Sequence, residues 1–368
     1  MRPAFSSTAQ TVAFALLLLL LSLSPLLLGD RLLPPRDQGY ASAGWDWGAY
    51  PWVRKQIFEE TNDIDIAFIG SSRINWGIDT PYVQQQLDSQ LGHKSVVRSI
   101  CWGGAGFDGL YFIAKDLLAH RHVKTLVFYD ETIGPHPNPK APKWFRYGDD
   151  AVDLSSLPLK DKGIFYFAAM TGMPDNLMEL AFPNLPEDTN SQTGNYFEEH
   201  YRAANPETRL GSISGRVSYD IGLGQNTSFA PFFPSTGVAP SDVCVYDPAN
   251  APKFLFSTRP LPAWQAHFAR LFGSLAKKYG CQLVLLHLPV KAENSDPLIR
   301  ESRYWPDFLQ TDVAMIGIPG QQLFAGLSGN DMKNLYGDEY HLNQNGQEYF
   351  TRLITPALLQ VHENRPVH

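Results

Sequence analysis

The chain has 368 residues, 44% of them hydrophobic, with 30 Lys plus Arg against 37 Asp plus Glu and a formal net charge of −7. That length accommodates one large or two ordinary domains. The mild negative charge, with no basic stripe and no block of like charge, argues against a nucleic-acid partner, and 29 Gly with 28 Pro speak for long loops over an all-helical bundle.

From Pro3 to Gly29 there is no charged residue, and Leu16 to Leu21 are six consecutive leucines. The segment is long enough to cross a bilayer as a helix. Arg2 precedes it, which by the positive-inside rule keeps that end cytoplasmic and exports the rest. The alternative is a cleaved signal peptide, but Gly29-Asp30-Arg31 makes a poor cleavage site. Residues 1–30 are therefore expected to form a membrane anchor. Residues 31–60, with Pro34-Pro35 and the aromatics Tyr40, Trp45, Trp47, Tyr50 and Trp52, read as a juxtamembrane linker. Those aromatics either meet the membrane interface or pack on the domain.

Strand and helix then alternate. Ile64–Gly70 reads as a buried strand, Pro81–Leu91 as a helix, and Ser95–Trp102 as a second strand. Phe107–His120 is a helix with Leu110, Ile113, Leu117 and Leu118 at helical spacing, and Thr125–Asp130 a third strand. Residues 133–260 break the rhythm with Pro, Gly, Asn and Ser, and are expected to form an insertion, lid or groove at the catalytic edge. Pro262–Tyr279 resumes as a helix, Cys281–Leu288 is a near-continuous apolar strand, Val313–Ile318 a further strand, and Asn345–Val361 the closing helix. Alternation of this kind predicts a three-layer α/β sandwich with a mostly parallel sheet, made from residues 61–132 and 261–368. Cys244 and Cys281 could pair, leaving Cys101 as a buried thiol; export permits disulfides. His120-Arg121-His122 reads as a solvated helix end, and no Cys or His spacing suggests a metal.

Two short runs carry chemistry. Gly70-Ser71-Ser72-Arg73 follows the first strand, so a hydroxyl stands at the carboxyl end of a central strand. Asp338-x-x-His341 precedes the last helix, and that spacing lets a carboxylate orient an imidazole. Together these resemble the SGNH/GDSL hydrolase family. Gly70-Ser71-Ser72 looks like its nucleophile block, with Ser71 where an Asp is usual. Cys101-Trp102-Gly103-Gly104-Ala105-Gly106 looks like its second block, and Asp338-x-x-His341-Leu342-Asn343-x-x-Gly346 like its last. The third block, Gly-x-Asn-Asp, is absent; its place holds Asp130-Glu131-Thr132.

The resemblance implies a triad of Ser72 as nucleophile, His341 as base and Asp338 as its orienting acid, with Ser72 and Gly106 amides as the oxyanion hole. Arg73, Asn75, Asp130 and Glu131 are candidate substrate-binding residues. Asn75 and Asn138 are candidates for the missing oxyanion donor; Arg73 either receives an anionic group or pairs with an acid such as Asp79 or Asp130. No metal and no cofactor is implied. The combination of one amino-terminal anchor with such a domain resembles bacterial proteins that modify envelope or exported polysaccharides. It implies an extracytoplasmic esterase or O-acyltransferase acting on an acylated carbohydrate or other ester, beside a multi-span membrane acyltransferase. The alternative is a non-catalytic scaffold or binding subunit of an envelope acylation or export complex.

Overall fold

The computed structural model describes residues 7–28, 35–41, 53–102, 105–129, 145, 148–167, 244–246, 263–291, 313–318, 323–324 and 327–364. Its centre is a six-stranded sheet of β1 (Ile64–Gly70), β2 (Val97–Cys101), β3 (Val123–Tyr129), β4 (Cys244–Tyr246), β5 (Gln282–Leu286) and β6 (Ala314–Gly317), in the order β2-β1-β3-β5-β6-β4. The first five in that order are parallel; β4 lies antiparallel on the β6 edge. All seven residues of β1 are buried, as a strand covered on both faces requires. The fold is thus α/β, with the strand succession of a flavodoxin-like core.

Parallel neighbours need crossover helices, and the chain supplies α1 (Thr8–Leu28), α2 (Arg36–Ala41), α3 (Ser72–Gly77), α4 (Thr80–Leu91), α5 (Phe107–His120), α6 (Ala263–Tyr279), α7 (Gly329–Leu335) and α8 (Gln344–Glu363). From β1 the chain steps one way to β2, then back past β1 to β3. Right-handed crossovers therefore put α4 and α5 on opposite faces. In agreement, α5 packs with α6, while α8 packs with α3 and α4. The switch in direction lies between β1 and β3, where open sheets of this class place their sites.

Four expectations change. First, α3 was not anticipated: it starts on Ser72 itself. Second, Cys281 is a free, buried thiol, with burial pushing its pKa to about 12. Cys244 pairs with Gly317, one position past the Leu286–Ile316 pair, so it lies about six residues, roughly 20 Å, along the sheet from Cys281. That separation rules out the disulfide. Third, Arg121 is buried; its guanidinium donates to the carbonyls of Asn62 and Gln56. Fourth, part of the linker belongs to the domain. Tyr40 is fully buried, edge-on to Trp102 at 6.0 Å and to Phe58 at 5.4 Å. Trp45, Trp47, Tyr50 and Trp52 lie outside the described residues.

Among the described residues no helix is long and apolar enough to cross a membrane. The α1 backbone nonetheless continues to Leu28, 21 residues or about 31 Å. Leu16 to Leu20 are exposed at 48–58%.

Of the expected insertion, residue 145 and residues 148–167 pack against α5 and α6. Phe165 is buried between Phe112, Phe145 and Trp264. Residues 168–243 and 247–260 lie outside the described residues, and the expected lid with them.

An ionic cluster joins α2 to α5. Arg36 pairs with Asp116 at 2.5 Å and Asp150 at 2.8 Å; Lys115 reaches Asp150 at 2.6 Å and Asp153 at 2.7 Å; the Tyr40 hydroxyl donates to Asp116 at 2.9 Å. Asp150 is completely buried, so removing a cation leaves uncompensated charge. Arg36→Ala is expected to lower unfolding free energy by about 3 kcal/mol or more, against near-neutrality for an exposed pair. Urea denaturation of the two proteins measures it; a loss below ~1 kcal/mol would show the cluster to be incidental.

Candidate active site

Ser71 and Ser72 divide two jobs. Ser71 is the N-cap of α3, in extended conformation, and its Oγ accepts the Arg73 amide at 3.3 Å and the Tyr129 hydroxyl at 2.6 Å. Ser72 takes the first helical position, half-buried, with its Oγ 2.9 Å from Nε2 of His341. Gly70 must be glycine: a Cβ there would stand 2.2 Å from Ile74 Cγ1. This close approach lets the chain turn from strand to helix within one residue.

The partner residues sit on a turn closed by its own backbone. Tyr336 and Leu342 form an antiparallel bridge, Gly337 N–H donates to the His341 carbonyl at 2.9 Å, and Asn343 N–H to the Leu335 carbonyl at 2.9 Å. Within it Asp338 uses both oxygens. Oδ1 accepts the amides of Tyr340 and His341, each at 2.7 Å, and Oδ2 meets His341 Nδ1 at 2.8 Å. The carboxylate therefore keeps the proton on Nδ1 and leaves Nε2 to accept from Ser72. Burial alone would raise the Asp338 pKa. Hydrogen bonds from the Tyr340 amide, the His341 ring and the His341 amide outweigh it and hold the value below the usual carboxylate range.

The rest of the motif is structural. Asn343 caps α8, accepting the Gly346 amide at 3.0 Å and donating to the Asn334 carbonyl at 3.0 Å. A Cβ on Gly346 would lie 2.1 Å from the Leu335 carbonyl oxygen, which is why α7 and α8 can meet there only over glycine.

Both halves of the triad are tied to the segment after β5. The Arg73 guanidinium donates to the Leu288 carbonyl and stands over the Tyr129 ring at 5.8 Å. The Tyr336 hydroxyl donates to the Pro289 carbonyl at 2.7 Å, and Lys291 Nζ meets Glu339 at 3.0 Å. Arg73 is 8% exposed and braces the segment after β5 through the Leu288 carbonyl; Asp130, one of the acids expected to pair with it, lies outside the described residues.

Asn75 accepts from Ser99 Oγ at 3.1 Å and gives its carbonyl to Gln347 Nε2 at 3.3 Å. These bonds tie α3 to β2 and α8. Gly106 is the N-cap of α5, at the same sheet edge as Ser72: Gly70 pairs with Cys101, and Trp102 N–H donates to the Gly70 carbonyl at 2.9 Å. Asp130, Glu131 and Asn138 lie outside the described residues, as do Gly103 and Gly104. Cys101 is a buried thiol, pushed up to about 12 by burial. Among the described residues no His, Cys, Asp and Glu group is arranged to hold a metal ion.

Sequence reasoning missed three participants. Trp76 lies tilted against the His341 ring, centroids 4.5 Å apart, and its i+4 spacing from Ser72 on a helix was the available signal. Tyr129, the last residue of β3, carried no signal for its bond to Ser71. Gln265 is taken up below.

No protein-family model matches the chain, and no curated protein matches it.

Two outcomes follow for Asp338. Because its folded pKa is depressed, its stabilising contribution is complete above the ordinary carboxylate range and is lost as pH falls through the lower folded value. A chain carrying Asp338→Asn should lose that acid-side dependence, read by unfolding between pH 2 and 5. The amide also presents N–H to Nδ1 and favours the wrong tautomer. Turnover of an aryl ester should then fall on the order of 10³–10⁴-fold; a drop below tenfold would remove Asp338 from the mechanism.

Proposed function

We propose that the chain is an SGNH/GDSL-like serine esterase or O-acyltransferase acting outside the cytoplasm on acyl esters of envelope or exported carbohydrate. One observation carries this reading: Ser72 Oγ, the His341 ring and the Asp338 carboxylate form a continuous relay with 2.9 Å and 2.8 Å contacts, from segments 269 residues apart. A structural serine needs no such relay, whereas a neutral hydroxyl needs it to become a nucleophile.

Ser72 Oγ attacks the acyl carbonyl carbon as its proton passes to His341 Nε2. The carbonyl electron pair moves onto oxygen, and the amides of Ser72 and Gly106 receive that oxyanion. The first is favoured by its place at the start of a helix. Collapse breaks the ester C–O bond, and the leaving alkoxide takes the proton back from His341. The acyl-Ser72 ester is then attacked by water or by a sugar hydroxyl, whose proton follows the same route. Asp338 stays ionised and stabilises the imidazolium. Trp76 against the ring limits its swing.

The apolar α1 supports an anchored location. A helix whose apolar side chains from Leu16 to Leu20 stand exposed matches a membrane span better than a surface helix. In that setting a multi-span membrane acyltransferase delivering the acyl group is the natural partner. The alternative, a non-catalytic scaffold, draws support from the missing Gly-x-Asn-Asp block after β3.

A fluorophosphonate probe separates enzyme from scaffold. It should label the full chain, and Ser72→Ala should abolish labelling without moving the melting temperature by more than a few degrees. Well-folded wild-type protein that stays unlabelled would leave the scaffold reading. Separately, the full chain should resist alkaline carbonate extraction from membranes while a chain beginning at residue 35 is released. Release of both would refute the anchor.

A further inference from the structure

The first turn of α5 lacks a cap of its own: Gly106, at the N-cap, has no side chain to offer the exposed amides. Gln265, in the first turn of α6, supplies the acceptor instead. Its Oε1 takes the Phe107 amide at 2.9 Å, across 158 residues of sequence. Next to it, Trp264 Nε1 donates to Asp108 Oδ2 at 3.3 Å, so two consecutive residues of α6 grip the same turn. Gln265 is completely buried, and among the described residues its Nε2 donates to no acceptor. A Cβ on Gly106 would lie 3.0 Å from that Nε2 and 2.9 Å from Asp108 Oδ1. The carboxamide and Asp108 thus hold the Gly106 backbone on the side facing α6, which explains a glycine at a position whose φ is not left-handed.

A buried carboxamide with one half unused is costly, and a residue kept there for packing alone would be apolar. We propose that Gln265 is the positioning residue of the oxyanion hole: by capping α5 through Phe107, it fixes the Gly106 amide that receives the acyl oxygen. It takes over, through the backbone, part of what the missing third-block Asn would contribute directly. This rests on the esterase reading above.

The test uses the full chain with Gln265→Met, which keeps length and burial but cannot accept a hydrogen bond, and Gln265→Glu, which restores the acceptor. In Gln265→Met, hydrogen exchange at the Phe107 amide should accelerate, and in Gln265→Glu its protection should return. For an aryl acetate, Gln265→Met should lower kcat at least about tenfold, within the range for loss of one oxyanion donor, with KM inside about twofold. Affinity for a trifluoromethyl ketone should drop in parallel with kcat, a shift that simple loosening of the fold would not produce. Unchanged kcat in Gln265→Met beside an active wild type overturns this proposal alone. So does a loss of kcat with Phe107 exchange unaltered. A wild type that neither hydrolyses the ester nor accepts the fluorophosphonate at Ser72 overturns the esterase reading, and this one with it.

Discussion

The triad exists because two distant segments are fastened to one short stretch of backbone, residues 288–291. Arg73, next to Ser72, donates to the Leu288 carbonyl; Tyr336, at the root of the histidine turn, donates to the Pro289 carbonyl. Lys291 adds a backbone bond and an ion pair to Glu339. This stretch directly follows β5, which pairs with β3, which pairs with β1. The sheet's hydrogen-bond ladder thus sets the distance between Ser72 and His341. A contact of 2.9 Å between side chains 269 residues apart tolerates little slack, and parallel pairing supplies the rigidity.

Local chemistry then refines what the sheet positions. On one side a serine pair splits the work: Ser71 caps the helix and Ser72 is left to meet His341. On the base side the aspartate spends one oxygen on two backbone amides and the other on the imidazole. A carboxylate used only for the imidazole would be free to rotate; here the turn locks it. Both devices reuse ordinary helix-cap and Asx-turn geometry, so the site demands little unusual backbone. The tight places are the glycines, Gly70 and Gly346, where backbone or side chain comes closer than a Cβ allows.

The elements that could be read from the sequence are those with a long or strict pattern. The near-continuous apolar runs of β1 and β5, the helical spacing in α5 and the closing α8 all have enough residues for a period to show. The Asp338–His341 pair was legible because it is local: three residues separate acid from base. What escaped was short or non-local. Six residues, Ser-Arg-Ile-Asn-Trp-Gly, are too few to announce α3. Three residues, Cys244–Tyr246, find β6 only through a contact some 70 residues away. The brace at residues 288–291 uses main-chain carbonyls, which leave no trace in composition. Arg73 looks like a surface cation in sequence, and only the fold shows it buried against Tyr129. Gln265 is an ordinary polar residue on an amphipathic helix until its partner, an amide on α5, is known.

The ionic cluster at Arg36 bears on how such a site meets an anchored substrate. Seven residues, or eight Cα–Cα steps, separate the end of α1 from Arg36. At most about 3.5 Å per residue, they span no more than about 28 Å. Arg36 is bonded to Asp116 and Asp150, and Tyr40 to Asp116, so the leash ends on α5 and not in a free linker. With α1 in a bilayer, α5 is therefore kept within that reach of the membrane surface. The helix so tethered is also the one whose first turn carries Gly106. On the proposed anchored reading, a domain held this way would sample a restricted set of heights and tilts, raising the effective concentration of groups presented at the membrane. Loosening the cluster would free α2 from α5 before it altered the Ser72–His341–Asp338 contacts, so the proposed anchoring and the proposed chemistry are separable in this fold even though both run through α5.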